Sequence, residues 1–291
     1  MTTITCEERI HHYVGNMISQ SSVQIKDCQR ASDMMNKRGS VNFGVYQVPL
    51  NNLLKKYRHQ DKKFKYKMMD IQCDVNDYCF VKNRTVHDNK PTILRSLNFQ
   101  RHWKYFYNKP NDIEYEQKIN RIYWRGTTTG KETNKGNRFQ LMKQWFGVSD
   151  NIDIAFSHIC QGKNGYTEYV KGKVDIHEFL KYKYILSVEG NDKDSGISWK
   201  LNSNSLVFMT RPTKVSWLME DKLIPDYHYV LLKDDFSDLL EKYEWCENNP
   251  DQCVEIIKNA NNYMRLFDDN KHEEQIEKQV IDEYFKRVKC V

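Results

Sequence analysis

Two short stretches carry residue types that could grip an anion. The first is Trp124-Arg125-Gly126-Thr127-Thr128-Thr129-Gly130, followed closely by Arg138. A strand that ends in a small-residue loop and runs into a helix turns free backbone N–H groups toward a bound anion. Arg125 and Arg138 would add forked donors to phosphate oxygens, and threonine hydroxyls could complete the shell. An ordinary strand-to-helix turn with two surface arginines fits the same letters. A Walker loop is excluded, because GxxxxGK[ST] is absent. The second stretch is Glu189–Lys200. Glu189 at a strand end could bind a ribose diol. Gly190 and Gly196 permit close backbone approach, Asn191 to Gly196 form the turn, Ser195 and Ser198 could hydrogen-bond phosphate, and Lys200 could neutralise it. Asp192 and Asp194 would repel a pyrophosphate, so they should face away from it or toward sugar hydroxyls. A solvent-exposed loop is the plain alternative.

A third group is acidic. Asp70, Asp74, Asp77 and Asp88 are each able to deprotonate an acceptor hydroxyl from the mouth of a cleft, although an aspartate in such a place is more often a capping or surface residue. His228, beside Tyr227 and Tyr229, reads as a structural histidine. His11, His12, His158, His177 and Cys160 lack metal-ligand spacing, and no HExxH occurs. Asp192 and Asp194 form a bare DxD, a spacing that metal-dependent sugar transferases of another fold use for manganese; the phosphate-binding character of the loop argues against that here, and no metal site is expected.

The elements that must position these groups are strands alternating with helices. Ile119–Trp124, Ile152–Phe156, Tyr184–Val188, Ser205–Met209 and Tyr227–Leu232 are short apolar runs separated by helix-length segments such as Asn137–Phe146, Val174–Leu180, Leu239–Trp245 and Val254–Met264. That alternation predicts βαβ units and a parallel sheet, an α/β fold, with ligands at the carboxyl ends of its strands. A final helix over Lys271–Val288 has Ile276, Val280, Ile281, Tyr284 and Val288 on one face. The first half is less regular. Its first 40 or so residues read as helical, Leu50–Tyr57 as a helix, and Phe64–Ile71 and Tyr78–Val81 as strands. Asn108-Lys109-Pro110-Asn111-Asp112 marks a turn and a domain boundary. The division is 1–115, 116–270, and a C-terminal helix 271–291 that returns to the first domain.

Composition bounds the rest. The chain has 291 residues, 39% hydrophobic and 29% charged, with 45 Lys and Arg against 39 Asp and Glu for a formal +6. That mild excess, interleaved with acid, suits a solvated surface better than a nucleic-acid-binding face. There is no apolar h-region at the start and no run of roughly 20 apolar residues, so neither a signal peptide nor membrane insertion is expected, and a cytoplasmic place follows. The eight cysteines form no CxxC pair and are expected as reduced, buried thiols, with a Cys73–Cys79 bridge improbable.

Taken together and in order, Ile122-Tyr123-Trp124-Arg125-Gly126-Thr127, Arg138-Phe139-Gln140-Leu141, Lys181 to Gly190, Ser203 to Phe208, Pro225 to Val230 and Asp235 to Leu239 resemble glycosyltransferase family 90, the group of fungal capsule-associated proteins and Rumi-type protein O-glucosyltransferases. The match covers about residues 119–265. The resemblance implies a GT-B-like architecture, two Rossmann-like domains facing a cleft. It also implies inverting, metal-independent transfer from a UDP-sugar, glucose or xylose, to a hydroxyl of a glycan or glycoprotein, with no cofactor. By position it places Gly126, Thr127 and Arg138 on the diphosphate and Asn191 to Gly196 in the loop that cradles it. The arginine that the family carries in that loop has no counterpart at Gly196, and Lys200 stands as its substitute. The family's base is an aspartate just past a strand of the first domain; Asp74 fits that place best and Asp88 is the alternative. The chain looks like the short bacterial or viral members. The rival readings are a catalytically inactive relative that binds nucleotide or carbohydrate, and a basic nucleic-acid-binding protein.

Overall fold

The apolar runs of the second half become one sheet. The computed structural model describes residues 4–20, 22–36, 43–67, 70 and 77–291. Its strands, in chain order, are β1 (Val23–Ile25), β2 (Phe80–Val81), β3 (Asn83–Thr85), β4 (Thr92–Ile93), β5 (Ile119–Thr127), β6 (Ile152–His158), β7 (Tyr182–Leu186), β8 (Leu206–Met209), β9 (Lys214–Ser216), β10 (Val230–Leu231) and β11 (Val288–Cys290). The chain divides into two compact units. Unit 1 is residues 1–100, 213–221 and 269–291; unit 2 is residues 101–212 and 222–268.

Unit 2 holds a five-stranded sheet in the order β10-β8-β7-β5-β6, with every neighbouring pair parallel. This is the expected α/β architecture. Alternate residues of a strand point to opposite faces, and both faces here are covered. Trp124 and Ile122 of β5, Tyr184 and Leu186 of β7 and Phe208 of β8 join a core with Leu141, Met142, Ile256 and Ile257 from helices Arg138–Trp145 and Pro250–Met264. Tyr123 and Ile185 face the other way, with Tyr182, Phe179 and the half-buried Trp199. Burial on both faces explains why these strands read as continuous apolar runs rather than as alternations. Asn137 starts helix Arg138–Trp145 by accepting from the Gln140 N–H at 2.8 Å, a side-chain cap that also fixes where Arg138 begins.

Unit 1 is built differently. Among the described residues its strands form three two-stranded pairings, β1 with β11, β2 with β4 and β3 with β9. Phe64 and Tyr66 make only single bridges, to Gln29 and Phe80, and part of the strand expected over Phe64–Ile71 lies outside the described residues. The first 40 residues are only partly helical: helix Cys6–Val14, capped by a reciprocal Thr5–Glu8 box, gives way to β1 and a short helix Ala31–Met35. Helix Asn270–Arg287 buries Ile276, Val280, Ile281 and Tyr284, the face read from the sequence.

Three separate chain segments meet in unit 1 around a buried ion pair. Arg9, 2% exposed, donates to both carboxylate oxygens of Glu273, which is fully buried. Trp217 Nε1 donates to the same carboxylate at 2.5 Å, and Tyr13 Oη donates to the Trp217 carbonyl at 2.8 Å, the two rings stacking with centroids 3.8 Å apart. One helical turn on, Glu277 accepts from the Ser96 N–H at 2.8 Å and hydroxyl at 2.6 Å; burial pushes its carboxyl up.

The expectation of reduced thiols is corrected at one pair. The parallel pairing of β1 with β11 brings Cys28 and Cys290, 262 positions apart, to a Cα–Cα distance of 6.0 Å as a disulfide. That separation leaves no local signal in the sequence. Cys79 is a buried free thiol, whereas Cys73 lies outside the described residues. Among the described residues no helix is long and apolar enough to cross a membrane.

Glu273→Gln keeps the shape of the side chain but leaves the Arg9 charge buried and unpaired. Denaturant unfolding should show a loss of about 3–5 kcal/mol; a loss below about 1 kcal/mol would remove the pair from the stability account. Reducing Cys28–Cys290, or replacing Cys28 by Ser, should cost about 2–4 kcal/mol. A titration that finds eight free thiols in the native chain would contradict the bridge.

Candidate functional site

The order of unit 2's sheet selects one crevice. Counted from β5, the strands run 2-1-3-4-5, so the chain goes from β5 outward to β6 and then crosses back to place β7 on the far side of β5. In doubly wound sheets that reversal opens a crevice at the carboxyl ends of the two flanking strands, here β5 and β7. The turns that leave those ends are the two stretches that the sequence singles out. They meet: the Gly130 N–H donates to Asn191 Oδ1 at 2.8 Å. A methyl on Gly130, whose φ is +102°, would lie 3.0 Å from the Gly190 carbonyl oxygen. One on Gly190 would lie 2.4 Å from Thr129 Oγ1. Glycine at both positions is therefore required by contact, and at Gly130 also by backbone conformation.

Arg138 binds the two turns together from beneath. Its Nη2 donates to the Val188 carbonyl at 2.9 Å, and its Nη1 donates to the Thr127 carbonyl at 3.0 Å and to Thr129 Oγ1 at 2.8 Å. The residue is 9% exposed and the guanidinium rests over Trp124 at 5.5 Å. Burial lowers its pKa, yet an arginine stays protonated. Its hydrogen-bond partners are neutral oxygens, so its positive charge stands at the floor of the crevice, where the carboxylates of Asp194 and Glu189 also act on it.

The other expected ligands are spread. Arg125 points away from the turns: Nη1 donates to the Trp124 and Asp153 carbonyls and Nη2 to Asp153 Oδ1 at 2.8 Å, with Tyr123 beneath the cation at 4.4 Å. Those donors are occupied at the β5–β6 side of the sheet, which differs from the phosphate role expected of Arg125. Thr128 is fully buried, its hydroxyl donating to the Cys160 carbonyl at 2.9 Å and accepting from the Cys160 N–H at 2.8 Å. Lys200 is likewise internal, 3% exposed, donating to Asp194 Oδ2 at 2.5 Å and to the Leu186 carbonyl at 2.9 Å. Burial alone would raise the Asp194 carboxyl; the Lys200 ammonium more than offsets this and holds it below its ordinary value. Asp194 also accepts from Ser187 Oγ and the Gly196 N–H, so this pair shapes the turn from inside. The Gly190 N–H donates to the Asp192 carbonyl at 2.8 Å, and Ser198 is tied to the His102 carbonyl. Glu189 is half-buried at the crevice, and Gly126 and Thr127 sit at the end of β5. Ser195 keeps its hydroxyl without a partner among the described residues. His228 is 3% exposed, its Nδ1 accepts from the Ile224 N–H at 2.8 Å, its buried Nε2 has no partner among the described residues, and burial lowers its pKa to about 4.

Of the four acids of unit 1, Asp74 lies outside the described residues. Asp70 pairs with the buried Lys82 at 2.8 Å and Asp77 pairs with Lys65. Asp88 accepts from the Lys90 N–H at 3.0 Å in the turn after β3. Among the described residues no cluster of three or more His, Cys, Asp or Glu could hold a metal. One group escaped the sequence reading. Glu132, on the loop after Gly130, accepts from Tyr166 Oη at 2.6 Å and from Lys163 and Lys143, and these bonds, Tyr166's first, pull its carboxyl down to about 2. It borders a recess of about 520 Å³ shared with Asn134, Gln140 and Lys233. No local signal links Glu132 to Tyr166, which lies beyond β6.

Comparison with known proteins identifies the family. The family described as Glycosyl transferase family 90 matches residues 51–290. The chain is 29% identical to "O-glucosyltransferase LpsA" of Dichelobacter nodosus over 262 residues, covering 90% of this chain and 76% of that protein. It is 28% identical to "Protein O-glucosyltransferase 2" of Danio rerio over 153 residues, 52% of this chain and 29% of that one. It is 26% identical to "Uncharacterized protein 035R" of Invertebrate iridescent virus 3 over 167 residues, 52% of this chain and 15% of that one.

Gly190→Ala should force the two turns apart and lower unfolding stability by about 1–3 kcal/mol. Gly165→Ala, where the added methyl meets nothing within 4 Å, should change it by less than about 0.5 kcal/mol. Equal effects in the two variants would mean that the turns are not in contact.

Proposed function

The chain belongs to glycosyl transferase family 90 and is a glycosyltransferase, and from that premise we propose that it moves glucose or xylose from a UDP-sugar to a hydroxyl of a glycan or glycoprotein, with inversion and without a metal. Glucose is the first choice because two of the relatives are named as O-glucosyltransferases. The proposal includes the GT-B-like pair of Rossmann-like domains. The observation that carries it is the meeting of the turns after β5 and β7 over the buried Arg138 cation, at the switch point of the sheet.

In this reading the diphosphate of UDP lies on the glycine-lined junction of Gly130 and Gly190. The backbones there are bare of side chains and the Arg138 charge acts through a medium of low polarity. Negative charge grows on the diphosphate as the bond from its oxygen to the anomeric carbon breaks, and a fixed cation at that point lowers the barrier. Ser195 supplies a free hydroxyl to the same turn, and Glu189 a carboxylate for a ribose or sugar diol. Arg125 and Lys200 hold the fold of the turns rather than touching phosphate. Asp74 is proposed as the base that takes the proton from the attacking hydroxyl, with Asp88 as the alternative; the acceptor oxygen then forms the new bond from the face opposite UDP.

Incubation with UDP-glucose and UDP-xylose should give sugar-dependent release of UDP, and UDP should raise the melting temperature. Asp74→Asn should lose at least about a hundredfold in turnover with UDP affinity nearly unchanged. Full turnover in that variant would pass the role to Asp88, and no stabilisation by UDP together with no release from either donor would overturn the reading.

A further inference from the structure

Unit 1 contains a cavity of about 470 Å³, within the range of small-molecule sites, and nothing in the donor site uses it. It lies between helix Val48–Lys56 and the segment 96–100 that follows β4. We propose that this cavity is a saccharide subsite, so that the acceptor is a glycan held through a neutral sugar residue rather than a bare polypeptide. The proposal rests on the transferase reading only for calling the bound sugar an acceptor.

The lining is short of free charge and rich in amides. Its cation, Lys56, is already paired with Glu274 at 2.6 Å, which leaves little to attract a phosphate. Asn52, Asn98 and Gln100 bring carboxamides to the same space. A carboxamide both donates and accepts, as a pair of adjacent sugar hydroxyls requires. Asn98 is the built part of the site. It is 8% exposed, its Nδ2 donates to Tyr46 Oη at 3.4 Å, and among the described residues its Oδ1 accepts no hydrogen bond. Its φ of 60° is a backbone conformation that asparagine tolerates better than most residues. That oxygen is left able to accept from a ligand hydroxyl. Ser96 is oriented from behind: its hydroxyl donates to the buried Glu277 at 2.6 Å, so its oxygen faces outward as an acceptor. Phe99 adds an aromatic ring, backed by Arg95 at 5.7 Å, against which the C–H face of a pyranose can lie.

The test uses the full chain and cellobiose, a neutral disaccharide, read by saturation-transfer NMR, with a serine-containing neutral peptide as the competing probe. The expected result is saturation of the sugar ring protons, with affinity weakened at least tenfold in Asn98→Gly and in Asn52→Ala. Glycine removes the carboxamide and is unstrained at that φ, and circular dichroism of each variant confirms that it is folded. Cellobiose binding that the variants do not alter, binding of the peptide alone, or binding of neither probe would each overturn the subsite. A parallel titration of the wild-type chain with UDP judges the donor reading separately: UDP binding without sugar binding defeats only the subsite, and the reverse defeats only the donor reading.

Discussion

The buried Arg138 cation organises the crevice of unit 2. Arg138 reaches up from the first turn of its helix and is held by carbonyl and hydroxyl oxygens from two turns that are distant in sequence. A guanidinium removed from water is costly unless its donors are met, so the turns after β5 and β7 are drawn to it and to each other. Their meeting demands glycine on both sides, since any side chain at Gly190 would collide with Thr129 and Arg138. The result is a positively charged floor under bare backbone, at the one place in the sheet where the chain reverses direction. Around it, the Asp194–Lys200 and Arg125–Asp153 pairs set charged groups against each other and fix the shape of the loops.

Unit 1 depends on charge in another way. Its chain arrives in three pieces, and a carboxylate of the last, Glu273, is shared between Arg9 of the first and Trp217 of the second. The Cys28–Cys290 bridge and the β1–β11 pairing close the same ends covalently and by backbone hydrogen bonds. Helix Asn270–Arg287 therefore carries two buried carboxylates on the face that also buries Ile276 and Val280. Glu277 orients Ser96 at the cavity, so the helix that completes the unit also shapes its recess.

How much of this was legible in the sequence follows from the range of the forces involved. The parallel strands were readable because burial on both faces leaves uninterrupted apolar runs, as in Tyr184–Leu186 and Leu206–Met209. The two turns were readable because glycine and hydroxyl residues at strand ends are a local signal. Which arginine serves them was not: Arg125 and Arg138 look alike in sequence, and only the pairing of β5 with β6, which sets Arg125 beside Asp153, separates them. The Lys200–Asp194 ion pair was no more legible, since nothing local in the sequence marks either side chain as buried. Unit 1 was hardest to read. Its pairings are two or three residues long, between segments as far apart as β3 and β9 or β1 and β11, and such contacts leave no periodicity to detect.

The central claim is that the junction over Arg138 receives a nucleotide diphosphate. A crystal structure of the chain with UDP tests it most directly. The account predicts diphosphate oxygens within hydrogen-bond reach of the 127–130 and 188–196 turns, with the Arg138 contacts to Thr127 and Val188 intact. UDP seated elsewhere on unit 2, or these turns closed against each other with the nucleotide excluded, would contradict it.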